Sequence, residues 1–207
     1  MARGNRTAGG DRIARGKVKR RGHKAKRRGH KAKRRGRKAA LTHLDARGRA
    51  RMVDVSGKPL TLREAAAAGS ISMNAEAYAA VRRGTLAKGD AGALARLAGI
   101  AGAKKTAELI PLCHAIPLDH VGVDVRFNDS ARSIEVETTA RTRWSTGVEM
   151  EAMVAACAAL LTFYDMAKGL DRGMTLGPIR LMKKSGGRSG TYERAPRNTP
   201  VRKTGRP

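Results

Sequence analysis

The chain has 207 residues, with 44 Lys and Arg against 17 Asp and Glu, a formal net charge of +27, and only 3% aromatic residues. Its two cysteines, Cys113 and Cys157, exclude a disulfide framework and suit a reducing, cytoplasmic setting. The longest apolar run, residues 152–164, is too short to span a bilayer and reads as a buried helix, so no membrane association is expected.

The charge is unevenly placed. Residues 1–40 carry 18 of the basic residues and one acidic residue, net +17, and include a seven-residue unit written three times from residue 20 to 40 with Gly22, Gly29 and Gly36 in step. That stretch has one Ile, one Val and no aromatic residue, too little apolar surface to offset the entropy of ordering, so it is expected to be a disordered Arg/Lys/Gly-rich extension. The repeat has no apolar stripe for a coiled coil and no h-region for a secretory signal. It reads first as a solvated, dispensable tail; the alternative is an arm for nucleic acid or another polyanion, contacted nonspecifically and in a salt-dependent way. Composition changes at Leu41, and residues 41–190 are long enough for one domain with a real core. Residues 191–207 read as a basic flexible tail.

In chain order, RMVDVS at 51–56 reads as a strand. LREAAAAGSISM is ambiguous, helical by its alanines and strand-like at its ISM end. NAEAYAAVRRG at 74–84 has the grammar of a helix, with an Asn cap and a terminal Gly. The segment 90–109 repeats that grammar behind Asp90. HVGVDVRF and RSIEVETTAR flank NDSA and predict an antiparallel hairpin. The longest helical pattern, 146–170, starts at Thr146 as a candidate cap and stops at Gly169. PIRLMKK is a last strand and SGGRSG a loop. A hairpin with long helices predicts an α+β two-layer sandwich, an antiparallel sheet with helices packed on one face.

Three Gly/Lys clusters, KGD at 88–90, GIAGAKKT at 99–106 and KKSGGRSG at 183–190, have the flexible backbone and positive charge that cradle phosphate. None has the spacing of a Walker A loop. Cys113 and His114 are adjacent, which is poor spacing for zinc without a second ligand pair. Asp165 and Lys168, at i and i+3, share a helix face and can form an ion pair, and partial burial there would tune the lysine for acid–base work. Glu149 and Glu151 at the helix start also fit the macrodipole.

Taken together, LTHLDARGRARMVDVSGK, KGD, AKKTAELIPLCH, TGVEMEA, LTFYDMAKG and KKSGGRSG, in this order from about Leu41 to Tyr192, resemble the cyclic pyranopterin monophosphate synthase family of molybdenum cofactor biosynthesis. The basic repeat lies outside the resemblance. What the likeness implies is a lyase that turns a cyclised dihydro-GTP into a cyclic pyranopterin phosphate and expels pyrophosphate. It further implies Asp165 and Lys168 as the catalytic pair. Lys88, Leu112, Cys113, His114 and Lys184 would bind substrate, with phosphates and sugar at Lys88, His114 and Lys184, and Glu149, Met150 and Glu151 would line the base pocket. No protein-held metal or organic cofactor is implied, magnesium entering only with the triphosphate. The expected assembly is a homo-oligomer, a hexamer of dimers with sites at the dimer interface. Departures from the family pattern are Ala115 in place of Pro, Trp144-Ser145 in place of Gly-Lys, and Ala167 in place of Cys.

Overall fold

A computed structural model describes residues 47–195; the basic extension and the end of the tail lie outside the described residues. Within it the chain is a two-layer α+β sandwich. The elements run β1 (Thr61–Ser72), α1 (Ala75–Arg83), α2 (Ala91–Lys104), α3 (Thr106–Leu109), β2 (His120–Asn128), β3 (Ser133–Trp144), α4 (Glu149–Ala167), β4 (Thr175–Leu176), β5 (Arg180–Ser185) and β6 (Tyr192–Glu193). The sheet order is β2-β3-β1-β5-β6, with β4 beside β1, and every pairing is antiparallel.

The predicted hairpin forms, with His120 opposite Arg141 and Asn128 opposite Ser133. The ambiguous LREAAAAGSISM is strand as far as Ser72, with only Met73 outside it, and β1 pairs along its length with β3 from Thr61–Trp144 to Ser72–Ser133. Burial overrides helix propensity there. Ala65, Ala67 and Ile71 face the helices and are essentially inaccessible. RMVDVS is not a strand: Asp54 accepts hydrogen bonds from the Ser56 amide (2.9 Å) and hydroxyl (2.7 Å), and this local turn competes with a ladder. The sheet also runs past residue 190, because Tyr192 pairs with Lys184 in a sixth strand.

Helix boundaries follow their caps. Asn74 Oδ1 accepts from the Ala77 amide, Gly84 closes α1 at φ 66°, and Asp90 accepts from the Ala93 amide. Thr146 is not a cap. The N-cap of α4 is Val148, with no side-chain bond, so the helix starts three residues after the threonine.

The core is the contact of α4 with β1 and β3, and of α2 with α4. Phe163, Leu160, Ile71, Ile134 and Val136 are fully enclosed, and Ala140, Ala152, Ala155, Ala156 and Ala159 let the helix lie close to the strands. Helix α4 is apolar and long enough to cross a bilayer by composition, but it packs against the sheet and α2, which bury Val154, Leu160 and Phe163 while Leu161 stays exposed. Gly99 and Gly102, expected to offer backbone to phosphate, instead lie within α2 against α4: a Cβ at Gly102 would stand 2.7 Å from the Ala158 Cβ. Gly102→Val is therefore expected to cost about 1–3 kcal/mol through overpacking, read as a lower denaturant midpoint at unchanged m-value.

Candidate active site

The sequence-predicted residues fall into two groups at opposite ends of α4. At its C-terminal end, Asp165 Oδ1 lies 2.7 Å from Lys168 Nζ and Oδ2 lies 2.8 Å from Lys88 Nζ. Lys88 also donates to the Asp165 carbonyl at 2.8 Å, which satisfies one of the unpaired carbonyls of the last helical turn. Its loop is shaped for this: Gly89 takes φ 96°, and Asp90 caps the next helix. The hydrogen bonds from Lys168 and then Lys88 hold the Asp165 carboxyl down at about 2, so it is ionised at neutral pH. Lys168 is pushed up by the same bond. The expected tuning by partial burial does not occur, since the side chains of Asp165 and Lys168 are 56% and 52% exposed. The lysine is an ammonium, a proton donor rather than a base.

At the other end, the segment 110–119 is pinned over the start of α4. Thr142 Oγ1 donates to the Pro117 carbonyl (2.6 Å), the Arg143 amide donates to Asp119 (2.9 Å), and the Cys113 amide donates to the Ile110 carbonyl (3.0 Å). His114 Nε2 lies 2.8 Å from the Val53 carbonyl, which can only accept, so that nitrogen carries the proton. The MVDVS segment, expected as a strand, is thus the arm that orients His114.

A cavity of about 320 Å³ opens here, lined by Cys113, His114, Gly147, Glu149, Met150 and Glu151. A second, of about 300 Å³, meets it at His114 and Glu151. Glu151 is only 4% exposed, and burial drives its carboxyl up from 4.5 to about 7, the Glu149 charge adding to the rise. Burial, and then the charge of Glu151, also push the Cys113 thiol up, which keeps it neutral and unfit as a nucleophile. Leu112 is half-buried in the turn just before it.

Lys184 reaches this end from β5. A bulge between Ala66 and Ala67 of the β1–β5 pairing puts both Leu181 and Lys184 opposite inward-facing alanines. The Lys184 side chain is 15% exposed, with its Nζ 3.9 Å from Glu149 and hydrogen-bonded to Ser189, whereas Lys183 is exposed. Trp144 is not in the lining of that pocket; it borders another cavity, with Met52 and Val53, which meets the pocket at His114.

Sequence reasoning missed Arg63. It donates to the carbonyls of Trp144 (3.3 Å) and Ser145 (3.4 Å), tying β1 to the turn that launches α4. Alternation along β1 would have placed it on the helix side, had that segment been read as a strand. Among the described residues, no three of His, Cys, Asp and Glu converge as a metal-ligand set.

The chain matches the model of a family described as the MoaC family over residues 52–187. It is also similar to proteins named cyclic pyranopterin monophosphate synthase. The one from Thermomicrobium roseum is 56% identical over 156 residues, 75% of this chain and 94% of that protein. Those from Parvibaculum lavamentivorans and Cereibacter sphaeroides are 52% and 50% identical, over 74% and 75% of this chain and 96% and 98% of theirs.

Glu151 gives a pH signature. Its folded-state value lies above the ordinary one, so its contribution to stability is complete below about 4.5 and is lost as pH rises through about 7. Glu151→Gln should remove that loss, gaining on the wild type by a few kcal/mol at most between pH 4.5 and 8. Thermal unfolding of both proteins across that range checks it.

Proposed function

The chain belongs to the MoaC family and is an enzyme of pterin synthesis for the molybdenum cofactor, a lyase, and on that premise we propose how its residues work. The substrate is the cyclised dihydro-GTP, and the product is cyclic pyranopterin monophosphate with release of pyrophosphate. The observation that carries the mechanism is the Asp165 carboxylate clasped by two ammonium groups at 2.7 and 2.8 Å.

In the free enzyme those ammonium groups occupy the carboxylate. Substrate phosphates, with more charge to offer, compete for Lys88 and Lys168 and free Asp165 to accept a proton from the opening ring system. Lys168, held protonated until then, returns a proton to the atom that develops negative charge. At the other end of the helix, Glu151 with a value near 7 suits the N–H groups of a guanine-derived ring: the ionised form accepts from them, and binding favours that form. His114 is oriented through Nε2, and Lys184 supplies charge for sugar and phosphate oxygens. Magnesium would enter with the triphosphate and needs no residue of the chain to hold it.

Glu151 and Asp165 are fourteen residues apart, so along an unbroken helix they are separated by about 21 Å of rise. One compact substrate does not bridge that distance within a protomer. Two copies packed with their α4 helices antiparallel would bring one copy's Glu151 beside the other's Asp165, so each site is shared across a dimer interface, within the hexamer of dimers expected for the family. A cytoplasmic setting is supported by the two free cysteines. A nucleic-acid-binding role is not favoured, because the family match covers residues 52–187 and not the basic repeat.

The purified protein, given the cyclised GTP intermediate, should form the pyranopterin product. Asp165→Asn and Lys168→Ala should each cut turnover by roughly 100-fold or more, while the exposed positions leave the melting temperature close to wild type. Unchanged turnover in either variant would reduce the pair to a surface salt bridge.

A further inference from the structure

The two ammonium groups on Asp165 come from separate parts of the chain. Lys88 stands on the loop after α1, and Lys168 is the C-cap of α4, its amide donating to the Tyr164 carbonyl at 2.9 Å. Beyond Lys168 comes Gly169, exposed and with open space where a Cβ would stand, a residue that gives a helix end little resistance to fraying.

The turn that follows is nevertheless stitched down residue by residue. The Leu170 and Asp171 amides donate to the Ala167 carbonyl at 2.9 and 3.2 Å. The Leu170 carbonyl accepts from Asn74 Nδ2 at 3.2 Å, and the Arg172 carbonyl accepts from the Tyr164 hydroxyl at 3.2 Å. Asp171 takes two backbone amides, that of Asn74 at 2.7 Å through Oδ2 and that of Gly173 at 2.8 Å through Oδ1. Met174, buried in the core, anchors the far end.

Asn74 and Asp171 thus form a reciprocal clamp between the start of α1 and the turn after α4. Asn74 Oδ1 caps α1 at the same time, on the Ala77 amide, and the Asp171 carboxylate lies where the dipole of that helix favours negative charge. Both residues bond to main chain around Lys168, not to the reacting groups. Lys168 itself is held to Asp165 at 2.7 Å, the bond that pushes its ammonium up. Once substrate takes that bond away, the place of the ammonium is set by the backbone of the last turn.

We propose that Asp171, working with Asn74, is a positioning residue for Lys168: the clamp fixes the last turn of α4 so that the ammonium stays beside Asp165 and, when released, reaches the substrate. This rests on the role given to Lys168 in the function proposed above.

Two variants separate positioning from stability. Asp171→Ala removes both carboxylate bonds, whereas Asn74→Ser keeps an oxygen to cap α1 and loses the bond to Leu170. Asp171→Ala should lower kcat by about 10- to 100-fold, the cost of a small misplacement of a reacting group. Asn74→Ser should lower it less, and Asp171→Asn, which keeps one accepting oxygen, should recover part of the loss.

The second readout needs no turnover. The full chain is treated with acetic anhydride across a pH series, and the acetylation of each lysine is read by peptide mass spectrometry. Only the neutral amine reacts, so a Lys168 loosened from Asp165 should react at lower pH in both variants, although Lys88 and Tyr164 remain nearby, while exposed Lys183 should not change. A lower melting temperature with kcat and the Lys168 profile both unmoved overturns the proposal, as does a fall in kcat with the Lys168 profile unmoved. If the wild type makes no pyranopterin, the proposed activity fails, and the shift of the Lys168 profile still decides whether the clamp places the lysine.

Discussion

Everything in this structure depends on how closely α4 lies on the two long central strands. Thr138, fully buried on β3, sends its hydroxyl to the Ala152 carbonyl of the helix at 2.7 Å and lies 3.3 Å from the Ala67 carbonyl of β1. A side-chain hydroxyl reaches a helix carbonyl only where helix and sheet nearly touch. The alanines at 65, 67, 140, 152 and 156 make that possible, and Gly69 leaves room for Leu160 and Ile179. The helix is consequently fixed in direction and height, and so are the groups at its two ends.

Those ends differ electrostatically. The C-terminal end holds an exposed carboxylate between two lysines, in a setting where each ion pair contributes little to stability. The N-terminal end holds a buried carboxyl, half-ionised near neutrality, beside a partly buried lysine. Carboxylates at the start and ammonium groups at the end agree with the helix dipole, and the Asp165 carboxylate, which opposes it, is offset by the two lysines. The N-terminal end has a group that can accept from N–H donors, and the C-terminal end has ammonium groups that attract anionic oxygens.

Much of this was legible in the sequence. The hairpin, both capped helices and the long apolar helix each had strong local signals, such as Asn74 and Gly84 at the ends of α1. Local reasoning failed where tertiary packing decided. Four successive alanines at 65–68 carry no strand preference, and only burial beneath α4 makes them one. Asp54 carries a turn in its side chain, and MVDVS was misread because its apolar alternation looked stronger than that turn. Gly99 and Gly102 resemble a phosphate cradle in sequence, yet their role is close helix packing. For the site, family likeness chose Lys184 over Lys183, a choice that alternation from Leu181 would have reversed. The bulge that turns Lys184 inward depends on the pairing of β5 with β1, which no local pattern contains.

The central claim is that one rigid helix carries two halves of a site that come together only between copies of the chain. Its most direct measurement is the activity of verified mixed dimers of Glu151→Gln and Asp165→Asn, each expected to lose nearly all turnover as a homodimer. Pairing them leaves one site per dimer with both halves intact, so activity should approach half of the wild-type value per mixed dimer. Mixed dimers that recover nothing, or a monomer with full activity, would contradict it.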